Sequence, residues 1–241
     1  MFIKSAGIVL HCIKYSETSV IARIYTRAHG LLSFMVNGVR TAKSTAKAAM
    51  LQPGSLLELD FAYQENKNLL RVKEFKRAYV FHSIPFDVRK SAIALFMVEV
   101  MSKVLREKEA NEEEFDFLFT QLEQLDKAPD ANHFYHYQFL LYFAQYLGFF
   151  PTNNFSEQTP LFDLRLGYFV LETEKDFNVL SRDESRMIYE LLRSEPFTKP
   201  EINFPRATRN AVLQRLLAYY SLHIETFKNV QSHIVLEAVF D

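Results

Sequence analysis

Five short apolar runs separated by polar turns occupy the first 80 residues, and they constrain the fold more than any other feature. The runs are GIVLHCIKY (7–15), SVIARIYTR (19–27), LLSFMVNGV (31–39), LLELDFAYQ (56–64) and LLRVKEFKR (69–77). Runs of this length, rich in β-branched and aromatic residues, are typical of a small antiparallel barrel. We therefore predict a five-stranded β-barrel over residues 1–80, with its longest break between the third and fourth strands.

From about residue 82 the apolar period becomes helical. Helices are predicted over 87–108, 112–127, 130–148, 181–194 and 208–224. The expected end signals are Asp130 as an N-cap, Gly148 as a C-terminal glycine, and Ser181 with Glu184 as a capping box. The segment 162–172 predicts a small hairpin or an extended segment around Gly167.

These patterns predict an α+β multidomain chain. The first domain, 1–80, is the barrel, and the second, 81–241, is α-helical with a short β-hairpin or loop insertion near 150–175. On the long helix, an apolar cluster indicates either core packing or a groove for a partner peptide: Leu95, Phe96, Met97 and Met101.

The net charge of −1 hides an uneven distribution. Residues 1–80 carry 12 Lys and Arg against 5 Asp and Glu, a net +7, whereas residues 81–241 carry 16 against 24, a net −8. A basic barrel indicates a polyanionic partner. The single cysteine, Cys12, excludes an intrachain disulfide and a multi-cysteine zinc site, and it favours a reducing, cytoplasmic setting. No apolar run is long enough for a bilayer, so no membrane partner is expected.

Alternation along the second and fifth strands places cations beside aromatic residues on one face. These residues are Arg23, Tyr25 and Arg27 in the second strand, and Arg71, Lys73 and Arg77 around Phe75 in the fifth. Cations that track phosphates and rings that stack on bases are typical of single-strand nucleic-acid binders. The alternative is that the charges only solvate the barrel, while Tyr25 and Phe75 pack beneath the helices.

The break between strands three and four reads GVRTAKSTAKAAMLQP (38–53), with three cations and no acid. Arg40, Lys43 and Lys47 would share one face if this insert is helical, and we predict that they also contact DNA. The alternative is a solvated loop.

Two weaker patterns leave other chemistry open. His133 and His136 have a spacing that could hold a metal, or they flank the core. A carboxylate–lysine set resembles that of metal-dependent nucleases, or it is ordinary strand-surface charge: Glu58, Asp60, Glu74 and Lys76. The chain has no G-x-S-x-G elbow and no Walker glycine loop, so we predict no enzyme, no catalytic residue and no metal site.

The ordered segments SAGIVLHCIKYSET (5–18), IYTRAHG (24–30), GVRTAKS (38–44) and LQP (51–53) resemble the RecO family of bacterial DNA repair and recombination mediators. The helical part matches more loosely, mainly through the long helix from 87 and QFLLYFAQYLGFFP (138–151). Positions that resemble the family's recurring ones are Arg27, Gly38, Arg40 and Lys43.

This resemblance implies an N-terminal OB-fold, an α-helical domain and a cytoplasmic, nucleoid-associated protein. It implies binding of single- and double-stranded DNA, annealing of complementary strands, and help in loading RecA on DNA coated by single-strand-binding protein. The implied partners are RecR, the acidic C-terminal tip of single-strand-binding protein, indirectly RecA and, in some organisms, RecF. The alternatives are a scaffold whose barrel or helical groove binds an acidic peptide and, third, a metal-dependent nuclease.

The chain departs from many family members, which hold zinc with four cysteines after the LG-x-x-P segment. Here the corresponding region has no cysteine, so the resemblance implies no zinc cofactor. We expect packing of Phe155, Leu161 and Phe162 to hold the loop 152–165 instead.

Overall fold

The computed structural model describes residues 2–39, 44–107, 109–172 and 176–240. The chain forms two compact units, Met1–Ala128 (unit 1) and Pro129–Asp241 (unit 2). Unit 1 contains strands β1 (Phe2–Lys14), β2 (Val20–Thr26), β3 (Gly30–Val36), β4 (Leu56–Ala62) and β5 (Leu69–Arg77). Its helices are α1 (Thr45–Met50), α2 (Val88–Val104) and α3 (Glu112–Lys127).

The five strands close into a barrel in the order β1-β2-β3-β5-β4. All pairs are antiparallel except β3 with β5, and the long β1 pairs with both β2 and β4. Gly7 permits this double pairing, because a Cβ there would lie 2.7 Å from Cγ2 of Ile24 and 2.9 Å from Cδ1 of Leu59. The closed barrel followed by helices confirms the predicted OB-fold and fold class.

The barrel interior is filled by alternate residues of its strands, as a period of two requires. Thirteen apolar residues form this core: Val9, Val20, Ala22, Ile24, Leu32, Phe34, Val36, Val39, Leu51, Leu57, Leu59, Phe61 and Leu70. Phe34 and Phe61 meet edge to face with centroids 5.0 Å apart. Each such large side chain stabilises the fold by about 1.5–3 kcal/mol when fully buried.

Helix α2 begins where the side chain of Asp87 accepts hydrogen bonds from the backbone N–H groups of Arg89 and Lys90. In the apolar cluster of this helix, Phe96, Met97 and Met101 are fully buried and only Leu95 is exposed. The cluster is therefore core. The helix ends at Val104 rather than at residue 108, because the chain then extends and Glu107 forms an isolated bridge with Leu31.

Unit 2 contains α4 (Tyr135–Tyr146), β6 (Leu161–Asp163), β7 (Tyr168–Val170), α5 (Arg182–Arg193), α6 (Arg206–His223) and α7 (Ser232–Val239). The predicted hairpin is β6–β7, and the capping box of Ser181 and Glu184 is confirmed at α5. The predicted cap at Asp130 is wrong. Asn132 instead accepts from the N–H of Phe134 and makes a turn, so the helix starts later.

The loop before β6 is held by aromatic packing and by one amide. Phe155 stacks on Tyr189 with centroids 4.3 Å apart and meets Phe169 edge to face at 5.4 Å. The Asn154 amide donates to the carbonyl of Phe169 and accepts from its N–H. Phe162 is fully buried, and Leu161 is nearly so. The three predicted packing residues therefore do contribute to the packing around this loop.

The change from strands to helices falls between β5 and α2, as the sequence predicts. The compact units divide later, since α2 and α3 belong with the barrel in unit 1. Independent folding of 1–80 and 81–241 stays a prediction. Among the described residues, no helix combines the length and apolarity needed to span a membrane.

Candidate nucleic-acid interface

Cross-strand register assembles two rows of side chains on the outer surface of β1, β2, β3 and β5. One row is His11, Arg23, Ser33 and Leu69, and the other is Ile13, Ile21, Met35 and Arg71. We call these eight residues the basic–apolar face. All eight are exposed or half-buried, in contrast to the buried inner rows. The face therefore combines two guanidiniums with an aliphatic surface.

The two arginines of this face differ in their surroundings. Arg23 lies 3.5 Å from a carboxylate oxygen of Glu107, and both side chains remain about half exposed, at 42% and 58%. Arg71 is exposed and makes no ion pair among the described residues. Of the two arginines of this face, Arg71 is therefore the one available to bind a phosphate.

Arg27, also predicted to bind DNA, is held by two acids of α3. Its Nε and Nη2 atoms donate to the two oxygens of Asp116 at 2.8 and 2.9 Å. Its Nη1 lies 2.8 Å from Glu112. The hydrogen bond from Arg27 lowers the pKa of the Asp116 carboxyl. Arg27 can meet DNA only if these acids release it.

Tyr25 is buried, with 1% of its surface exposed. Its hydroxyl donates to Glu114 at 2.7 Å, and its ring contacts Phe115 at a centroid distance of 5.8 Å. Burial raises the pKa of both the Tyr25 hydroxyl and the Glu114 carboxyl. The prediction that Tyr25 stacks on a base is not compatible with this placement, and the alternative of packing beneath the helices describes it correctly.

A β-bulge divides the face predicted along β5. Asp60 pairs with Glu74 but Phe61 pairs with Val72, so Lys73 is an extra residue in the ladder. An extra residue reverses the side-chain phase. Arg71 therefore points outward beside Met35, whereas Arg77 lies opposite the buried Leu57.

The single basic face predicted for Arg71, Lys73 and Arg77 is thus wrong. The Lys73 ammonium instead lies 5.2 Å from the ring centroid of Phe2. Phe75 packs partly buried against the barrel core.

The insert forms the short helix α1, on which Lys47 is exposed. Arg40 and Lys43 lie outside the described residues, so the shared helical face of the three cations stays a prediction.

The four residues of the nuclease-like pattern line one cavity on neighbouring strands, and one oxygen of Asp60 is buried there without a hydrogen-bond partner among the described residues. Lys76 lies 2.8 Å from Glu58, and Asp60 faces Glu74 across the ladder. Within the described part of the chain, no group of three or more His, Cys, Asp or Glu residues could hold a metal. The pattern therefore gives the nuclease alternative no support.

Of the predicted histidine pair, His136 lies on α4 in the interior of unit 2, whereas His133 lies just before the helix and is half-buried. His136 is 2% exposed, and its ring contacts those of Tyr137 and Phe240. Burial, with the nearby charges of His133 and Arg209, lowers the pKa of His136 to about 3. This is the core-flanking interpretation of the pair.

Comparison with known proteins assigns the chain to a family along nearly its whole length. The model for the N-terminal part of recombination protein O matches residues 1–81, and the C-terminal model matches 85–231. The chain belongs to the RecO family. It is 34% identical over 240 residues to the DNA repair protein RecO of Phocaeicola vulgatus, and 35% over 244 residues to that of Flavobacterium psychrophilum. The matches cover 100% of each chain, and the Bacteroides fragilis RecO is 33% identical over 242 residues with the same coverage.

The sequence analysis did not place Ile13 and Met35 on the basic–apolar face of this RecO-family barrel, and it did not identify Tyr15 in the adjoining loop. Ile13 is 47% exposed, and Tyr15, which begins the loop between β1 and β2, is 58% exposed. Loops that flank strands two and three commonly contact the ligand in OB-folds. That rule could have identified Tyr15. Ile13 and Met35 needed the strand register, which no local pattern gives.

Proposed function

We propose that this chain is a DNA repair and recombination mediator that binds single-stranded DNA on the basic–apolar face. The observation that carries the proposal is an exposed Arg71 that makes no ion pair with any described residue and lies beside aliphatic side chains on an OB barrel of the RecO family. Relatives at 33–35% identity over their full length are named DNA repair proteins.

In this proposal, phosphates are met by Arg71, by Arg23 after exchange with Glu107, and by the cations of the insert. Bases pack on Tyr15, Ile13 and Met35, which offer apolar surface without a hydrogen-bond code. Such contacts bind single strands with little sequence preference. The affinity for DNA should fall as the salt concentration rises. Binding is driven by the release of counterions from the phosphates, and added salt opposes that release.

Binding of a fluorescent oligothymidylate at several salt concentrations tests the barrel site. R71Q should weaken binding and make the slope of log affinity against log salt shallower by about 0.7, the value for one phosphate contact on a single strand. K76Q is the matched control, because Lys76 lies on the same strand but pairs with Glu58. Equal affinities for wild type, R71Q and K76Q would exclude this face.

The insert is tested by charge reversal. We expect the double variant R40E/K43E to weaken single-strand binding and to flatten its salt dependence, since two phosphate contacts would be lost. An unchanged affinity at low salt would remove the insert from the site.

The finer activities belong to the same proposal. We expect the protein to anneal complementary strands with and without single-strand-binding protein, to bind double-stranded DNA and RecR, and to help load RecA. We also expect no catalysis. Labelled DNA incubated with magnesium or manganese should stay full length, and shortening of the strand would favour a nuclease.

We further propose that the chain folds without zinc. The packing of Phe155 and Phe162 and the two hydrogen bonds of Asn154 support this proposal. Elemental analysis of purified protein should find no stoichiometric metal, and one zinc per chain would overturn it.

A second candidate role is binding of an acidic peptide. A cavity of about 400 Å³ in unit 1 is lined mainly by apolar groups beside Arg77, including Tyr79, Phe81 and Pro85. An apolar peptide ending in a carboxylate, such as the tip of single-strand-binding protein, has matching chemistry. R77Q should weaken binding of that peptide, whereas R71Q should not; the reverse result would exclude the cavity.

A further inference from the structure

Two exposed arginines and two half-buried aromatic rings form a cluster in unit 2, on α5 and the loop before β6. Phe155 stacks on Tyr189 at 4.3 Å with 24° between the ring planes. The guanidinium carbon of Arg186 lies 5.6 Å from the Phe155 centroid and 5.1 Å from that of Tyr189. Arg193 lies 5.7 Å from the Tyr189 centroid. We call Phe155, Arg186, Tyr189 and Arg193 the α5 platform.

One buried acid, Glu190, contacts both guanidiniums of the α5 platform. Glu190 is 4% exposed, and it lies 2.7 Å from Nη2 of Arg186 and 3.6 Å from Nε of Arg193. The two arginine side chains remain 45% and 48% exposed. A guanidinium has five N–H donors, so contact with Glu190 leaves donors for an acceptor arriving from solvent. The cations are therefore oriented by the fold and still accessible.

Helical spacing explains why these groups share a surface. Arg186, Tyr189 and Arg193 follow at steps of three and four residues, which lie on one side of a helix. The opposite side of α5 is buried through Met187, Ile188 and Leu191. The platform is therefore a fixed outward surface rather than a set of mobile side chains.

The chemistry of the platform matches a single nucleic-acid strand. The two half-buried rings, with the Arg186 guanidinium over both of them, offer a stacking surface to unpaired bases, and guanidiniums bind phosphate through their planar fork. A phosphorylated peptide would use the cations but not the stacking surface of the rings. A duplex would leave them equally idle, because its bases are already stacked.

We infer that the α5 platform is a second contact site for single-stranded DNA, separate from the barrel site. This inference rests on the proposed function and extends it. A chain with one strand contact in each unit can hold two strands, which is what strand annealing requires.

Photocrosslinking tests the site directly. The full-length protein is irradiated with an oligonucleotide that carries 5-iodo-deoxyuridine, and crosslinked peptides are identified by mass spectrometry. We expect crosslinks to peptides containing Phe155 or Tyr189 in addition to barrel peptides. Y189L should abolish the Tyr189 crosslink, whereas Y168L, which removes an exposed tyrosine of the β6–β7 hairpin, should not.

Binding measurements give an independent readout. Removing both arginines alone would leave Glu190 buried without a cation, so the variant is R186Q/E190Q/R193Q and its control is E190Q. R182Q is a second control, because Arg182 lies on the same helix but pairs with Glu172 outside the platform. Combined with R71Q, the triple variant should weaken single-strand binding beyond R71Q alone, and it should make the slope of log affinity against log salt shallower by about 1.4, the value for two phosphate contacts on a single strand.

The outcomes separate this inference from the proposed function. Crosslinks confined to the barrel, with binding and annealing unchanged in the triple variant, would overturn the platform and leave the barrel site standing. Absence of any single-strand binding by wild-type protein would overturn both. A platform that binds a phosphorylated peptide but not the oligonucleotide would also refute the inference.

Discussion

At the scale of single residues, the Asp126 carboxylate accepts more hydrogen bonds than the other described acids of unit 1. It accepts from the backbone N–H groups of His82, Ser83 and Ile84 at 2.8–3.1 Å, and from the Tyr79 hydroxyl at 3.1 Å. Burial alone would raise its pKa, but these hydrogen bonds outweigh burial and lower the pKa to about 2. The acid therefore fixes the segment that leads from the barrel into α2.

D126N should lower the free energy of unfolding by about 2 kcal/mol at pH 7, because an amide accepts these bonds less well than a charged carboxylate. The folded-state pKa lies below the ordinary value of 3.8, so the carboxylate stabilises the fold above pH 3.8 and the benefit is lost as the pH falls towards 2. The difference in free energy of unfolding between wild type and D126N, measured by urea unfolding, should be smaller at pH 3 than at pH 7. D130N, an exposed aspartate nearby, is the control, and equal stabilities of D126N and D130N would contradict the prediction.

His136 makes the stability of unit 2 sensitive to mild acid. Because its folded-state pKa is lowered to about 3, the ring stays neutral in the fold but is protonated in the unfolded chain below pH 6.5. Stability from this group is complete above pH 6.5 and falls as the pH decreases. Between pH 7.5 and 5.5 the wild type should lose about 1 kcal/mol more than H136Q. H82Q removes an exposed histidine and should keep the wild-type slope, and a parallel slope for H136Q would refute the assignment.

At the scale of elements, the sequence predicts the periods of the strands and helices, but it does not predict the irregularities that shift those periods. The predicted bounds of β5 are those observed, yet one extra residue at Lys73 separates Arg71 from Phe75 and Arg77. A bulge leaves no mark in the alternation of a short, charge-rich strand, since both faces already carry cations. The start of α4 was missed for a similar reason, because Asn132 competes with the helix through its own side chain.

Helix α3 presents two acids to Arg27, which directly follows β2. Glu112 and Asp116 both pair with Arg27, so DNA and α3 compete for the same guanidinium. We expect E112Q/D116N to bind single-stranded DNA about threefold to tenfold more tightly at low salt, because the Arg27 guanidinium would no longer be held by two acids. The gain should disappear at high salt.

E113Q removes an acid from the same turn that makes no ion pair with Arg27 among the described residues, so it measures the general effect of lost negative charge. Fluorescence anisotropy with a labelled oligonucleotide gives the comparison. If E113Q gained as much affinity as E112Q/D116N, release of Arg27 would not be the cause.

At the scale of the whole molecule, the compact units have a less uneven charge than the two parts of the sequence. Residues 1–80 carry a net +7, but unit 1 includes the acidic α3 and carries 18 Lys and Arg against 15 Asp and Glu. The sequence showed the excess of each part but not that the two parts share a unit. The contact that joins them, Tyr25 with Glu114, spans 89 residues, and no local pattern encodes a pairing at that distance.

A third outer row of the barrel shows why unit 1 extends to Ala128. Ile8, Tyr25 and Leu31 pair across β1, β2 and β3, and each has at most 1% of its surface exposed. They face outward, so helices rather than the barrel interior bury them. Gly30 adds to this contact, because a Cβ there would lie 2.3 Å from the backbone oxygen of Glu109.

The fragment 1–80 should therefore be less stable than 1–128 by about 5 kcal/mol or more, since three large apolar side chains would meet water at about 1.5–3 kcal/mol each. Thermal unfolding followed by circular dichroism should give a cooperative transition for 1–128 and a lower, broader one for 1–80. The substitution Y25F in 1–128 is the control, because it removes the bond to Glu114 but keeps the ring buried. If 1–80 unfolded cooperatively at the temperature of 1–128, the barrel would be an independent domain with its boundary at residue 80. The strand pattern alone predicts that boundary.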